Sequence, residues 1–184
     1  MGHFDRSICN CCVCPMQCAL KQLADAQTEI TVIVTTLGAI LPTAPAVSFT
    51  LTEVKDFIVT TSEGIDIAIC QIITVGFLTL PTDFKLKPIR KDVVGECVCC
   101  EDPMTNLLVD KIGTNISIPS GGGPSGILSA GVKAVGEGIV LLENIDMGTG
   151  SVTPFSITST CLLDAIGPPI VPPPPPPAPP SFQL

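Results

Sequence analysis

The amino-acid sequence predicts a mainly β protein: two tandem small β-barrel or sandwich domains, each preceded by a short helix, with a polyproline tail at the C-terminus. Three features point there. Short runs of β-branched residues alternate apolar and polar side chains and are bounded by Gly and Pro. Charged residues make up only 14% of the chain, against about 25% in an average globular protein, so the long-helix formers Glu, Lys and Arg are scarce. The same succession of motifs also runs through the chain twice, the mark of an internal repeat.

The elements follow in order. Residues 1–15 form a Cys-rich leader. The first domain, 16–78, opens on Pro15-Met16, and Met16, Ala19, Leu20 and Leu23 recur at helical spacing, with Pro well placed at the helix start. The strand Ile30 to Thr36 sets Thr31, Ile33 and Thr35 against Ile30, Val32 and Val34, the two-residue period of a half-buried strand. Beyond a turn rich in Gly and Pro, from Leu37 to Pro45, come strands Ser48 to Val54, Phe57 to Thr61, and a long last strand Ile67 to Val75. In the second domain, 104–166, Pro103-Met104 opens the helix Met104, Leu107, Leu108, Ile112. Strands Asn115 to Ile118, Gly126 to Val132, Gly138 to Leu142 and a long last strand Ser156 to Ile166 follow. Within the last strands Cys161 aligns with Cys70. About 60–70 residues per copy is marginal for an independent core, so the copies are expected to pack on each other or on further subunits.

Residues 79–103 are a linker that carries a second Cys cluster. Its basic side chains, Lys85, Lys87, Arg90 and Lys91, read as a solvated connection. From 167 to 184 the chain becomes proline-rich, with six consecutive prolines from Pro172 to Pro177. Proline fixes φ, so this tail is expected as polyproline II rising about 3.1 Å per residue, a stiff rod tipped by Phe182 and Leu184.

Composition excludes several function classes. A net charge of −8 and a pI near 4.4 repel phosphate backbones, so no nucleic acid is expected as a partner. The longest apolar stretch, Ile65 to Leu80, is broken by Asp66 and Gln71 and is too short and too β-branched for a membrane span. The first fifteen residues lack the basic start and apolar centre of a secretory signal. No catalytic residue and no cofactor is expected. The lone His3 stands in a terminus, and a Cys nucleophile needs a base beside it. The run Gly121 to Gly126 lacks the Lys and spacing of a phosphate-binding loop and reads as a hairpin turn. Asn115-Ile116-Ser117 fits a glycosylation sequon, yet reads as strand sequence.

The ten cysteines are the chemistry-bearing residues. Cys9, Cys11, Cys12, Cys14 and Cys18 crowd the leader and the helix start, and Cys97, Cys99 and Cys100 form the second cluster. Cys70 and Cys161 stand alone in apolar runs and are expected to be buried, as free cysteines often are. A bond between adjacent cysteines strains the peptide, so Cys11-Cys12 and Cys99-Cys100 each direct two thiols to different partners. That suits cross-linking, which makes the eight clustered cysteines candidate cross-link sites. The competing reading is metal: the same clustered thiolates as zinc ligands, with Cys11, Cys14, Cys97 and Cys100 as the alternative set.

Two resemblances follow from these segments. A helix and then short alternating strands, in Leu20 to Val75 and again in Leu107 to Ile166, resemble the Sm-like small β-barrel. Asp56 is followed by Phe57-Ile58-Val59, and no Arg lies in Ala68 to Phe77, so the RNA-binding residues of that family are not matched. What the resemblance implies is assembly through exposed strand edges. The leader Cys11-Cys12-Val13-Cys14-Pro15-Met16-Gln17 and the short Leu-bearing helix after it are similar to cysteine-rich surface proteins of Bacillus-type spores, found in the coat, exosporium or appendages. That likeness implies synthesis in the mother-cell cytoplasm and oxidation as the spore matures. The expected function is thus a structural protein of a spore surface layer or fibre. Its expected partners are copies of itself and other spore-surface proteins, welded through clustered cysteines. The alternative is a cysteine-cluster zinc module.

Overall fold

The computed structural model describes residues 13–26, 29–33, 47–89, 102–119, 127–146, 152–163 and 165–168. The clustered Cys9, Cys11, Cys12, Cys97, Cys99 and Cys100, the glycine run and the proline tail beyond Pro168 lie outside the described residues. The chain is mainly β. Helix α1 (Val13–Asp25) presents Met16, Ala19, Leu20 and Leu23 on one buried face, as their spacing requires, and leaves Cys18 and Lys21 exposed. Helix α2 (Asp102–Val109) is shorter. It buries Thr105 and Leu108 and exposes Leu107 and Val109.

Nine strands are seen among the described residues. They are β1 (Glu29–Ile33), β2 (Val47–Lys55), β3 (Ile58–Thr61), β4 (Asp66–Ala68), β5 (Thr74–Phe77), β6 (Asn115–Pro119), β7 (Ile127–Gly136), β8 (Ile139–Asp146) and β9 (Val152–Ser159). They pair in the order β4-β3-β2-β1-β5-β9-β8-β7-β6, and every ladder is antiparallel. The long strands bend where their register slips, between Leu51 and Glu53 in β2 and at two places in β7. Asp56 and Phe57 close the β2–β3 hairpin with φ of 50° and 63°, the left-handed pair that a two-residue hairpin demands. The Phe57 N–H donates to Gln17 Oε1 of α1 at 2.7 Å, which ties this turn to the helix.

The two long final strands expected from sequence are each broken. In the first half β4 ends at Ala68, a 3₁₀ turn spans Ile69–Gln71, and β5 begins at Thr74. In the second half β9 ends at Ser159, a 3₁₀ turn spans Thr160–Leu162, and Gly167 then bridges to Ser117 of β6. The strand order supplies the reason. β4 pairs with β3 while β5 pairs with β1, on opposite sides of β2, and no straight strand can reach both. The two turns are near copies. The residue before each has φ/ψ of −68°/125° (Ala68) and −69°/125° (Ser159), and the residue after each −90°/112° (Ile72) and −90°/110° (Leu163).

Two apolar clusters form. The first joins α1, Leu51, Val59, Ile69, Ile72, Val75 and Phe77 to Ile139, Leu141 and Ile157. The second holds Leu108, Ile116, Ile118, Ala130, Val132, Val140, Leu142, Ile145 and Leu163. Strand β8 therefore alternates between two cores: Ile139 and Leu141 face one, Val140 and Leu142 the other. The expectation of a solvated connection after β5 is corrected for residues 80–87. Leu80, Phe84 and Leu86 pack on the first core, and Gln22 of α1 clasps the Lys85 backbone, donating to its carbonyl at 2.9 Å and accepting from its N–H at 2.8 Å. Arg90 and Lys91 lie outside the described residues.

Candidate assembly site: the junction strands and the free edge

The two halves meet at β5 and β9. Thr74 faces Thr158, Val75 faces Ile157, Gly76 faces Ser156 and Phe77 faces Phe155. Beyond the strand ends the Ser159 N–H donates to the Ile73 carbonyl at 2.8 Å. The Thr74 and Thr158 hydroxyls are 2.8 Å apart, and Phe77 stacks on Phe155 with centroids 5.9 Å apart at 23°. Lys133 Nζ sits 5.8 Å from the Phe155 ring centre and pairs with Glu143 at 2.7 Å, capping the stack with charge. Past the junction, residues 80–87 strap the halves together. The Glu137 N–H, in the β7–β8 turn, donates to the Lys87 carbonyl at 2.9 Å, and Lys87 Nζ lies 3.2 Å from the buried Glu137 carboxylate.

The 3₁₀ turns lie side by side here. Cys70 from one and Cys161 from the other line a single recess with Val13, Met16, Ser159 and Leu162. The expectation that both cysteines are buried is corrected. Cys70 is exposed and carries a free thiol, with the Gln71 amide 3.8 Å from its sulfur. Cys161 is half-buried and disulfide-bonded. Each sits on a turn that leaves the sheet, at the recess the two turns share; the apolar residues on either side hid this in the sequence. Of the clustered cysteines, Cys14 is half-buried and Cys18 exposed, both on α1.

The junction uses one side of β9. The equivalent side of β4 is bare: among the described residues nothing pairs with it. Register identifies the counterparts. Ile58 faces Ala68 just before the first turn, as Ile139 faces Ser159 just before the second. Val59 and Val140, next along, are both fully buried. Ile139, however, is 1% exposed because the first half covers it, whereas Ile58 is 37% exposed. Ile65 carbonyl and Ile69 N–H bond back into the first half, to Thr61 and Phe57. By strand alternation Asp66 and Ala68 thus direct their backbone groups outward. At the opposite end, Gly167 takes the place beside Ser117 that Gly76 takes beside Thr31, with both Ser117–Gly167 backbone bonds made, at 3.0 and 2.8 Å. There Met104 is half-buried and Leu107 is 45% exposed, whereas Met16 of α1 is buried at the junction.

Sequence reasoning missed this edge relationship. One available signal was the unbroken apolar run Ile139 to Leu142, which suits a strand covered on both faces. Among the described residues, no group of three or more His, Cys, Asp or Glu side chains could hold a metal ion, and no helix is long and apolar enough to cross a membrane. A scan against protein-family models, a search of curated proteins and a search of solved structures each return no match.

Proposed function

We propose that the chain is a structural, self-assembling protein. It is built of two tandem small β-barrels of the Sm-like kind, which join head to tail through strand edges into a fibre, ring or layer. The observation that carries this reading is the internal junction. It already joins one half to the other through the β5 side of the first and the β9 side of the second. The first half then ends in a β4 edge that no described residue pairs with, and the second in the short segment around Gly167, which are the same two sides again. An interface between unlike surfaces propagates until a rotation closes it, so it yields rings or open filaments. The unpaired edge groups of Asp66 and Ala68 offer directional pairing. Ile58, exposed on one end, and Leu107, exposed on the other, would be covered by such a contact. In this reading the clustered cysteines secure an assembly of the bacterial spore surface type, formed from protein made in the mother cell. The leader composition and the paucity of charge support that placement.

Ala68→Pro tests the assembly. Ala68 has φ near −68°, which proline adopts without strain, so the substitution deletes one outward N–H and little else. Purified under reductant, the native chain is expected to form multi-copy particles by sedimentation velocity and electron microscopy. The variant should stay a single chain with unchanged circular dichroism. A native chain that remains single at high concentration, or a variant that assembles equally well, overturns the reading.

A further inference from the structure

We infer that the recess between the two 3₁₀ turns is a thiol–disulfide exchange site, in which Cys70 displaces the present partner of Cys161 and ties the two halves together by a Cys70–Cys161 bond. The inference stands apart from the head-to-tail reading and concerns the single chain. Cys70 is the middle residue of the turn Ile69–Gln71 and Cys161 of the turn Thr160–Leu162, and both line one recess with Ile72, Ser159 and Leu162. The first is an exposed free thiol, and the second is half-buried in a disulfide. A nucleophile and the bond it would open thus share one opening. The ladder explains their meeting. Thr74 faces Thr158, and the Ser159 N–H still donates to the Ile73 carbonyl at 2.8 Å, so both chains leave the sheet at one level. Counted on from Thr74–Thr158, that register brings Gln71 level with Cys161 and sets Cys70 one residue away. Cα atoms across an antiparallel ladder stand about 4.5–5.5 Å apart, inside the range of about 4.4–6.8 Å that a disulfide spans. The Gln71 amide, 3.8 Å from the Cys70 sulfur, places a donor beside the attacking group. Each turn is anchored in its own half, the Ile69 N–H on the Phe57 carbonyl and the Thr160 N–H on the Gly138 carbonyl, so the new bond would staple one half to the other.

The exchange balances within the chain. Cys14, Cys18 and Cys70 stand outside any disulfide, so the sulfur now bonded to Cys161 belongs to one of Cys9, Cys11, Cys12, Cys97, Cys99 and Cys100. The Cys70 thiolate attacks the Cys161 sulfur, and the Cys70–Cys161 bond forms as the old S–S bond breaks. The clustered sulfur leaves as a thiolate and takes up the proton that Cys70 gave to water. One disulfide and one thiol are present before and after, so no oxidant or reductant is consumed. What changes is their place: the recess closes on a staple between the halves, and a clustered cysteine is released as a thiol.

The test uses the full chain, oxidised until Cys161 is bonded while Cys70 still alkylates. It is then held without reductant at mildly alkaline pH, where thiolates form, quenched with acid at intervals, alkylated and mapped by mass spectrometry without reduction. Peptides joined by a Cys70–Cys161 bond are expected to accumulate, with an equal gain in alkylated clustered cysteine and a rate that dilution leaves unchanged. Cys70→Ser should keep Cys161 on its first partner and release no thiol, and Cys161→Ser should leave Cys70 alkylated throughout. Cys70 that stays alkylated beside bonded Cys161 in the native chain overturns the inference. So does Cys70 joined to any sulfur other than Cys161, a rate that falls on dilution, or a native chain in which Cys161 never bonds a clustered cysteine. Assembly under reductant is untouched by each of these outcomes, so the head-to-tail reading stands or falls separately.

Discussion

The β9 edge and the β4 edge are made alike and treated differently. Each ends in a residue at φ near −68°, turns through three residues around a cysteine, and has an isoleucine opposite its last residue in the neighbouring strand. At the β9 edge that isoleucine is buried, the last N–H is bonded to Ile73, and the cysteine is in a disulfide. At the β4 edge the isoleucine and the Ala68 N–H are presented outward, while Cys70 is exposed in the recess it shares with Cys161. Local sequence sets the turn, then, while the burial of the facing isoleucine is set by what lies alongside. The proposed assembly would give the β4 end the kind of partner that the β9 end already has.

The sharpest way to break this comparison is to truncate the two isoleucines. Ile139→Ala removes a buried side chain from the first core and leaves a cavity, at a cost of about 2–5 kcal/mol. Ile58→Ala, in the dispersed chain, removes a side chain already in contact with water and should cost within about 0.5 kcal/mol. Urea unfolding under reductant, at a concentration where the chain is single, measures both. Equal losses would mean that Ile58 is buried in solution and that the β4 end is not open. The same Ile58→Ala chain should assemble more weakly than the native one, which separates a surface that waits for a partner from one that is merely exposed.

A second, smaller effect sharpens the picture of the internal junction. A Cβ added at Gly136 would stand 2.7 Å from the Lys87 carbonyl and 2.8 Å from Leu86 Cβ. Backbone cannot yield as a side-chain tip does, so Gly136→Ala should displace the strap and cost about 1–3 kcal/mol by thermal or urea unfolding. A neutral result would show that residues 80–87 do not bear on β7 in solution.

How much of this was readable from residues alone divides along the same line. Helix α1 and the short strands β3 and β6 were legible, because Met16, Ala19, Leu20 and Leu23 keep helical spacing and turn residues punctuate the strands. The breaks at Ile69–Gln71 and Thr160–Leu162 were not. Both fall inside β-branched runs free of Gly and Pro, and they arise because the chain must pass from one side of its sheet to the other. The strap was misjudged for a related reason. Its lysines suggested solvent, yet Leu80, Phe84 and Leu86 interleave with them and face the core, and only the position of α1 decides that. For the candidate site, the paired recurrence of Cys70 and Cys161 was visible, but their exposure was not, since it depends on turns that the alternation pattern conceals.

The smallest predicted effect concerns what the internal junction has and an inter-chain one would lack. Within the chain, residues 80–87 continue covalently from β5, are clasped by Gln22, and reach Glu137 across the joint. Gln22→Ala deletes the two hydrogen bonds to Lys85 and a longer one, 3.2 Å, to the Cys18 carbonyl within α1, each worth about 0.5–1.5 kcal/mol at most at this exposed site, so a loss near 1 kcal/mol is expected. Because Gln22 touches neither β4 nor the Gly167 segment, assembly should be unchanged while amide exchange at Lys85 and Glu137 quickens. Faster exchange confined to Lys85 would show that the strap's two anchors act independently. Faster exchange at both would make the strap one cooperative element that ties α1 to the β7–β8 turn.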